Sequence, residues 1–249
     1  MPAPNRRFAE MPQPYLVFQH VAVEHPGILR DFMRRDGIAW DTVELDEGAS
    51  IPPLDDYAAL IVMGGPMDTW EEDTHPWLAA EKAAIRRWVS AGRPFLGVCL
   101  GHQLRAAALD GEVAPAARAE VGVMPVTLTP TGRRHAFFDA LPARFECLQW
   151  HGAEVRRPPP GARVLAQSPA CAVQALAVGS HAFSFQFHVE VIASTVDDWA
   201  AIPTYREALE RTLGDDGVDA LRRDCAARLP AFNELARRFY DNWRRCTSA

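Results

Sequence analysis

The 249-residue chain lacks the features that define several classes of protein. No apolar run reaches the length of a membrane-spanning helix, and no basic block or interleaving of basic and aromatic residues is present. The formal net charge is −6, which also disfavours a polyanionic partner. We therefore expect no nucleic acid and no membrane among its partners.

Cysteines are few and form no recognisable motif. The five cysteines are widely scattered without a CxxC pair, and their odd number argues against a disulfide framework. There is also no HExxH motif, no P-loop and no cluster of carboxylates at ligand spacing, so we expect no metal and no cofactor.

The N-terminal stretch does not resemble a secretion signal, because Arg6 and Arg7 precede polar residues and prolines rather than an apolar segment. We expect residues 1–13 to be a flexible tail and the protein to be cytoplasmic.

Strand and helix patterns alternate along the rest of the chain. Tyr15 to Gln19 predicts a strand, Pro26 to Asp36 a helix, and the pattern shifts towards strands after residue 120. We predict an α/β fold: a single doubly wound, flavodoxin-like domain over residues 14–249 with a mixed, mostly parallel central sheet. Residues 195–249 are expected to form a helical C-terminal extension packed on it, in which Pro230 kinks or restarts a helix.

Cys99 lies between Gly97 and Gly101 where a strand should become a helix. Pro94 to Val98 predicts a buried strand, and Gln103 to Leu109 predicts a helix. This is the sequence form of a nucleophile elbow, in which glycines permit a sharp turn and the helix N-terminus favours the reactive thiolate. The alternative is that Cys99 is a small, buried core residue.

A histidine and a glutamate stand two positions apart after a late strand. Ala182 to Phe187 alternates and is rich in aromatic residues, and His188 and Glu190 follow it. Side chains two apart in an extended chain point to the same side, so Glu190 is expected to orient His188 as the acid of a catalytic triad does. A surface pair at a strand end is the alternative.

The predicted strand Ala59 to Met63 runs directly into Gly64-Gly65-Pro66. Such a turn can aim backbone N–H groups outward, and an acyl-transfer site needs two donors for its oxyanion. We expect the N–H groups of Gly65 and Leu100 to be these donors, although a plain turn would have the same sequence.

Together the three segments resemble the class I (triad) glutamine amidotransferases, in particular the stand-alone members similar to GMP synthase. In that family a Gly-Gly-Pro turn supplies an oxyanion donor, Gly-x-Cys-x-Gly-x-Gln supplies the nucleophile and a glutamine contact, and His-x-Glu completes the triad. The site residues that the resemblance implies are Cys99, His188 and Glu190 as catalytic groups, Gly65 and Leu100 as oxyanion donors, and Gly64, Gln103, Gly152 and Ala153 as substrate contacts.

Two segments match the family less closely. Gln149-Trp150-His151-Gly152 resembles the segment whose backbone holds the α-carboxylate of glutamine, but Ala153 stands where many members have an aspartate. Glu120 follows the elbow helix and is expected either to face the pocket or to be a solvated loop residue.

The resemblance implies cysteine-dependent hydrolysis of the glutamine side-chain amide to glutamate and ammonia through a thioester. Because the chain has no P-loop, the ammonia acceptor is expected to be a separate synthetase. Two alternatives remain open: a free-standing hydrolase or peptidase of γ-glutamyl compounds, and a non-catalytic binding module of the same fold.

Overall fold

The computed structural model describes residues 13–247. Within that range, nine strands form a single sheet. In chain order the strands are β1 (Tyr15–Gln19), β2 (Trp40–Glu44), β3 (Ala59–Val62), β4 (Phe95–Val98), β5 (Glu112–Leu128), β6 (Arg144–Arg157), β7 (Arg163–Gln167), β8 (Ala175–Val178) and β9 (Ala182–Phe185). The α-helices are α1 (Leu29–Arg35), α2 (Trp77–Ser90), α3 (Leu100–Ala108), α4 (Thr195–Ala200), α5 (Pro203–Leu213) and α6 (Gly217–Thr247).

The strand order is β2-β1-β3-β4-β9-β8-β7-β5-β6. The first five strands are parallel, and from β9 onward every neighbouring pair is antiparallel. The order β2-β1-β3-β4 is that of a flavodoxin-like sheet, with β9 in the fifth place. The predicted α/β fold with a mixed sheet is therefore confirmed.

Helices cover both faces of the parallel strands. On one face, α1 and α6 pack over a core that includes Phe183, Phe185 and Phe239. On the other, α2 and α3 pack over a core that includes Trp88 and Leu104. Strands covered on both faces have to be apolar throughout, which explains why β3 and β4 are uninterrupted hydrophobic segments without alternation.

Helix α6 does not restart at Pro230 but continues through it. Proline removes a backbone donor and crowds the preceding turn, which favours a break. Buried residues before and after it, among them Leu221 and Phe232, pack onto the same cluster and hold the two halves in one helix. The prediction that the helix restarts at Pro230 was therefore wrong, because tertiary packing keeps the helix continuous.

The predicted tail, residues 1–13, lies outside the described residues except for Gln13. That residues 14–249 form a single domain, with residues 195–249 as its extension, stays a prediction.

The topology brings three turns together. Gly64 follows β3, Cys99 follows β4 and His188 follows β9, and these three strands are neighbours in the parallel part of the sheet. The carboxyl ends of parallel strands meet at one edge, where open α/β sheets bind their ligands. The sheet therefore places all three sequence motifs at one site.

Candidate active site

Cys99 occupies the turn between β4 and α3 in a strained conformation. Its φ of 50° and ψ of −105° lie in a region that residues with a side chain rarely adopt. Its N–H donates to the carbonyl oxygen of Phe185 in β9 at 2.9 Å, and its side chain lines a pocket. Strain of this kind is typical of functional positions and matches a nucleophile elbow.

The glycines beside Cys99 permit close packing of α3 on the sheet. A Cβ atom on Gly97 would lie 2.7 Å from the carbonyl oxygen of Gly101. A Cβ atom on Gly101 would overlap the carbonyl oxygen of Val62 in β3. The Gly-x-Cys-x-Gly spacing is therefore a steric requirement of the turn that presents the sulfur.

His188 and Glu190 form a buried hydrogen-bonded pair. Nδ1 of His188 lies 2.6 Å from Oε1 of Glu190, and the other carboxylate oxygen accepts from the N–H of Val189 at 3.0 Å. The Trp199 ring and the imidazole pack edge to face, with 4.6 Å between ring centroids. The carboxylate and the tryptophan together fix the orientation of the ring.

Charges around His188 favour its protonated form. Burial acts to lower the pKa of His188, but the charges of Glu190 and Cys99 and their hydrogen bonds to the imidazole outweigh it. The pKa of His188 is therefore raised well above 6.5. Cys99 also accepts a hydrogen bond from Nε2 of Gln186, at 3.5 Å from its sulfur.

The two expected oxyanion donors line the same pocket as Cys99. Neither the N–H of Gly65 nor that of Leu100 donates a hydrogen bond within residues 13–247. A free N–H is expected for Leu100 because it is the first residue of a helix. Both groups are thus available to a negatively charged oxygen at the cysteine.

The pocket in front of Cys99 has a volume of about 440 Å³. It is formed by the turn after β3, the elbow, strands β5 and β6, and helix α5. Helix α5 contributes Thr204, Tyr205, Ala208, Arg211 and Thr212. The C-terminal part of the chain therefore builds one wall of the site.

Three of the four predicted substrate contacts line this pocket: Gln103, Gly152 and Ala153. Nε2 of Gln103 donates to the carbonyl oxygen of Ala153 at 3.1 Å. Gly152 lies opposite an irregularity in β5 and has no partner in the strand register. Gly64 is not part of the lining, and its carbonyl oxygen accepts a hydrogen bond from His20.

Glu24 and Tyr205 belong to the site, although neither lies in one of the three sequence motifs. The Tyr205 hydroxyl donates to Oε1 of Glu24 at 2.6 Å, while Oε2 of Glu24 is buried without a hydrogen-bond partner in the described residues. Burial raises the pKa of Glu24, opposed by the nearby His188 and by the bond from Tyr205. The two residues are 181 positions apart, so no local pattern could have paired them.

Glu120 is buried, and the expectation of a solvated loop residue was wrong. Its carboxylate accepts from Ser168 at 2.7 Å and from Gln174 at 2.7 Å, and it lies 3.2 Å from Nε2 of His151. Nδ1 of His151 faces the carbonyl oxygen of Ala153 at 2.9 Å. This hydrogen-bond network fixes His151 and Ala153, the two residues on either side of Gly152 in the pocket wall.

Metal-binding and membrane-spanning features are both missing from residues 13–247. These residues contain no group of three or more histidine, cysteine or acidic side chains arranged to hold a metal ion. None of their helices combines the length and the hydropathy that crossing a bilayer requires.

The sequence model of class-I glutamine amidotransferases matches residues 28–200. This span covers the elbow, the His188–Glu190 pair and most of the sheet. The chain belongs to the class-I glutamine amidotransferase family.

Individual relatives agree with this assignment. The glutamine amidotransferase-like protein YfeJ of Salmonella typhimurium is 33% identical over 168 residues, which cover 64% of this chain and 67% of YfeJ. GMP synthase [glutamine-hydrolyzing] of Thermomicrobium roseum is 40% identical over 133 residues, 53% of this chain but 23% of that protein. A GMP synthase [glutamine-hydrolyzing] subunit of Sulfolobus acidocaldarius is 32% identical over 152 residues, 61% of this chain and 77% of that protein.

Solved structures resemble the chain over nearly its whole length. The crystal structure of a glutamine amidotransferase from Thermotoga maritima superimposes with a TM-score of 0.83 at 27% identity, covering 95% of this chain and 98% of that one. Coverage of this extent reaches into helices α5 and α6, which lie beyond the residues that the family model matches.

Proposed function

We propose that the protein hydrolyses the side-chain amide of glutamine to glutamate and ammonia with Cys99, His188 and Glu190 as its catalytic triad. The observation that carries the proposal is the strained backbone of Cys99, which presents a thiol to the pocket beside a buried and oriented imidazole. Membership of the class-I family supports an enzyme that hydrolyses glutamine.

In the first half of the reaction, the Cys99 thiolate attacks the side-chain carbonyl carbon of glutamine, and a C–S bond forms. The oxygen becomes an oxyanion, which the N–H groups of Gly65 and Leu100 stabilise. When the intermediate collapses, the C–N bond breaks and the His188 imidazolium donates its proton to the departing ammonia. A thioester and a neutral imidazole remain.

In the second half, neutral His188 takes a proton from water, and the resulting hydroxide attacks the thioester carbon. The same two N–H groups stabilise the second oxyanion. The C–S bond then breaks, glutamate leaves and the thiolate–imidazolium pair is restored. Glu190 keeps Nδ1 protonated and stabilises the charged ring through both halves.

The far end of glutamine is expected to contact the β6 wall of the pocket. The backbone of Gly152 is available for the α-carboxylate because Gly152 has no partner in the strand register, and Ala153 lies beside it in the pocket lining. Gln103 lines the same side and holds the Ala153 carbonyl in place. Gly64 contributes indirectly by shaping the turn that carries the Gly65 donor.

We further propose that the ammonia is passed to a separate synthetase. Support comes from the similarity to the GMP synthase chain of Sulfolobus acidocaldarius, whose name makes it one part of an assembly. This similarity does not identify the substrate to which the synthetase would add the ammonia.

The experiment is to incubate the purified protein with glutamine and, separately, with γ-glutamyl amides and peptides, and to measure glutamate release beside a Cys99→Ala control. Turnover of glutamine that Cys99→Ala abolishes supports the proposal. Turnover confined to larger γ-glutamyl compounds would replace it with the peptidase alternative. Absence of turnover on every compound, alone and with candidate synthetases, would favour a non-catalytic module.

A further inference from the structure

His20 lies behind the turn that carries the Gly65 oxyanion donor. The residue follows β1 directly, and its side chain is fully buried. Nδ1 lies 2.8 Å from the carbonyl oxygen of Gly64, and Nε2 lies 2.9 Å from Oε1 of Glu81 in α2. Neither His20 nor Glu81 takes part in the chemistry described above.

The two contacts define which ring nitrogens carry protons. A carbonyl oxygen can only accept, so Nδ1 has to donate to Gly64. Nε2 faces a carboxylate oxygen, and Glu81 thereby stabilises a second proton on the ring. Burial acts to lower the pKa of His20, but the charge and hydrogen bond of Glu81, together with the hydrogen bond to Gly64 and the charge of Glu24, outweigh it and raise the pKa above 6.5.

The hydrogen bond to Gly64 determines the direction of the neighbouring N–H group. The carbonyl of Gly64 and the N–H of Gly65 belong to one peptide group, and no peptide bond of the described residues is cis. In a trans peptide the C=O and N–H bonds point in opposite directions. A ring that holds the carbonyl therefore aims the Gly65 N–H away from His20, and Gly65 lines the same pocket as Cys99.

A reversed peptide would have the opposite effect. Turning the peptide over would place the Gly64 carbonyl oxygen, itself electron-rich, where the oxyanion has to form. It would also break the bond from Nδ1 and leave a buried donor without a partner, which costs about 1–3 kcal/mol. The His20 ring thus disfavours the inactive orientation of the turn.

Packing restrains the same turn. A Cβ atom on Gly65 would lie 2.9 Å from Cβ of His20 and 3.0 Å from a methyl carbon of Leu100. The Trp77 ring stacks on the imidazole with 5.5 Å between centroids. The His20 ring is therefore held between α2 and the turn, with little freedom to follow a peptide that rotates.

We propose that the buried His20–Glu81 pair is a positioning device that keeps the oxyanion hole formed before any partner binds. The inference rests on the proposed function and deepens it, because it assigns the orientation of the Gly65 donor to residues outside the triad. It implies that the isolated chain hydrolyses glutamine without activation.

Two substitutions separate the contacts of the ring. In His20→Asn the amide nitrogen sits as many bonds from the backbone as Nδ1 and keeps a donor for Gly64. In His20→Gln the amide nitrogen corresponds to Nε2, so the donor for Gly64 is lost. Each is made together with Glu81→Gln, which removes the otherwise unpaired buried carboxylate and matches the two variants in charge.

The expected result is a selective loss of kcat. Removal of one oxyanion donor costs about 10²- to 10³-fold in kcat, so we expect a loss of that order in His20→Gln/Glu81→Gln with KM changed less than about threefold. His20→Asn/Glu81→Gln should stay within about tenfold of the unsubstituted protein. Equal kcat in the two double variants, at equal thermal stability, would overturn the proposal.

A tetrahedral adduct provides a second readout. Cys99 adds reversibly to the aldehyde carbon of glutamate γ-semialdehyde, forming a C–S bond while the carbonyl oxygen becomes the oxyanion. In His20→Gln/Glu81→Gln, the inhibition constant of this aldehyde should rise in parallel with the loss of kcat. Alkylation of Cys99 by iodoacetamide forms no oxyanion, so its rate should not change. An unchanged inhibition constant would contradict the role assigned to His20.

A measurement on the unsubstituted protein covers the case in which the double variants do not fold. The charged groups that face the His20 ring are Glu81 on α2 and Glu24 after β1. Nitrogen-15 NMR should show Nδ1 of His20 protonated throughout pH 6–8, and an unprotonated Nδ1 would overturn the proposal. Failure of the proposed function is distinct, because the unsubstituted protein itself would then release no glutamate.

Discussion

Nδ1 of His188 lies 2.6 Å from Oε1 of Glu190, although both residues follow β9 rather than belong to it. The chain at His188 is held instead by two backbone hydrogen bonds with Leu148 in β6, at 2.8 and 3.3 Å. The imidazole is therefore fixed both by its acid and by a neighbouring strand. The order of effects expected on substitution follows from this arrangement.

Glu190→Gln should impair turnover less than His188→Ala. The substitution retains the shape of the acid but no longer stabilises the charged imidazole, which costs about 10⁴-fold in comparable triads, while loss of the base costs about 10⁶-fold. Glutamate release under saturating glutamine measures both values. Equal losses for the two variants would contradict the roles assigned to them.

Cys99→Ala should lower the pKa of His188. The charge of Cys99 and its hydrogen bond to the imidazole are among the causes that raise this pKa, and both disappear with the sulfur. Glu190 remains, so the value should fall without losing the whole shift. NMR titration of the His188 ring in the two proteins tests this, and an unchanged or higher value in Cys99→Ala would show that the two side chains are not coupled.

Gly101→Ala should destabilise the fold strongly. The added methyl group would overlap the backbone carbonyl of Val62, and neither α3 nor β3 can move without disturbing the core. We expect a loss of about 2–4 kcal/mol in the free energy of unfolding, measured with urea. Gly152→Ala is the matched control, because no atom beyond the adjoining residues lies within 4 Å of the added methyl group. The free energy of unfolding of this variant should change little.

Much of the site was predictable because its residues lie at the ends of strands. The elbow of Cys99 and the turn at Gly64 are local patterns, in which a buried strand and the glycines that end it are adjacent in the chain. The pairing of His188 with Glu190 needed only a separation of two residues. Parallel order then brings the three segments to one edge of the sheet.

The rest depended on contacts between distant segments. Glu24 meets Tyr205 across 181 positions, and His20 meets Glu81 across 61. A single glutamate or histidine after a strand is as compatible with solvent as with burial, so no pattern distinguishes these residues. The continuity of α6 through Pro230 was likewise decided by the surface on which the helix packs.

His102 should make the protein sensitive to acid. The residue is buried in α3, and burial, helped by the charge of Arg105, lowers the pKa of His102 from 6.5 to about 3. The unfolded chain therefore binds a proton that the folded chain does not between pH 6.5 and about 3. The free energy of unfolding should fall as the pH is lowered through that range, by up to about 1.4 kcal/mol per pH unit from this group.

The contribution of His102 is isolated by comparison with His102→Gln. Glutamine has no titratable group and keeps a donor for the carbonyl oxygen of Val173, which lies 3.2 Å from Nε2 of His102. Urea unfolding at a series of pH values should give a shallower acid slope for His102→Gln. Identical slopes would mean that the folded protein accommodates the charged imidazole.

The central claim is that Cys99 is the nucleophile of a glutaminase, and trapping the thioester tests it most directly. The protein is mixed with glutamine, quenched in acid within the first turnovers and analysed by intact-mass and peptide mass spectrometry. We expect a glutamyl adduct on Cys99 that is absent in Cys99→Ala. Glutamate release that persists in Cys99→Ala, or an adduct on another residue, would contradict it.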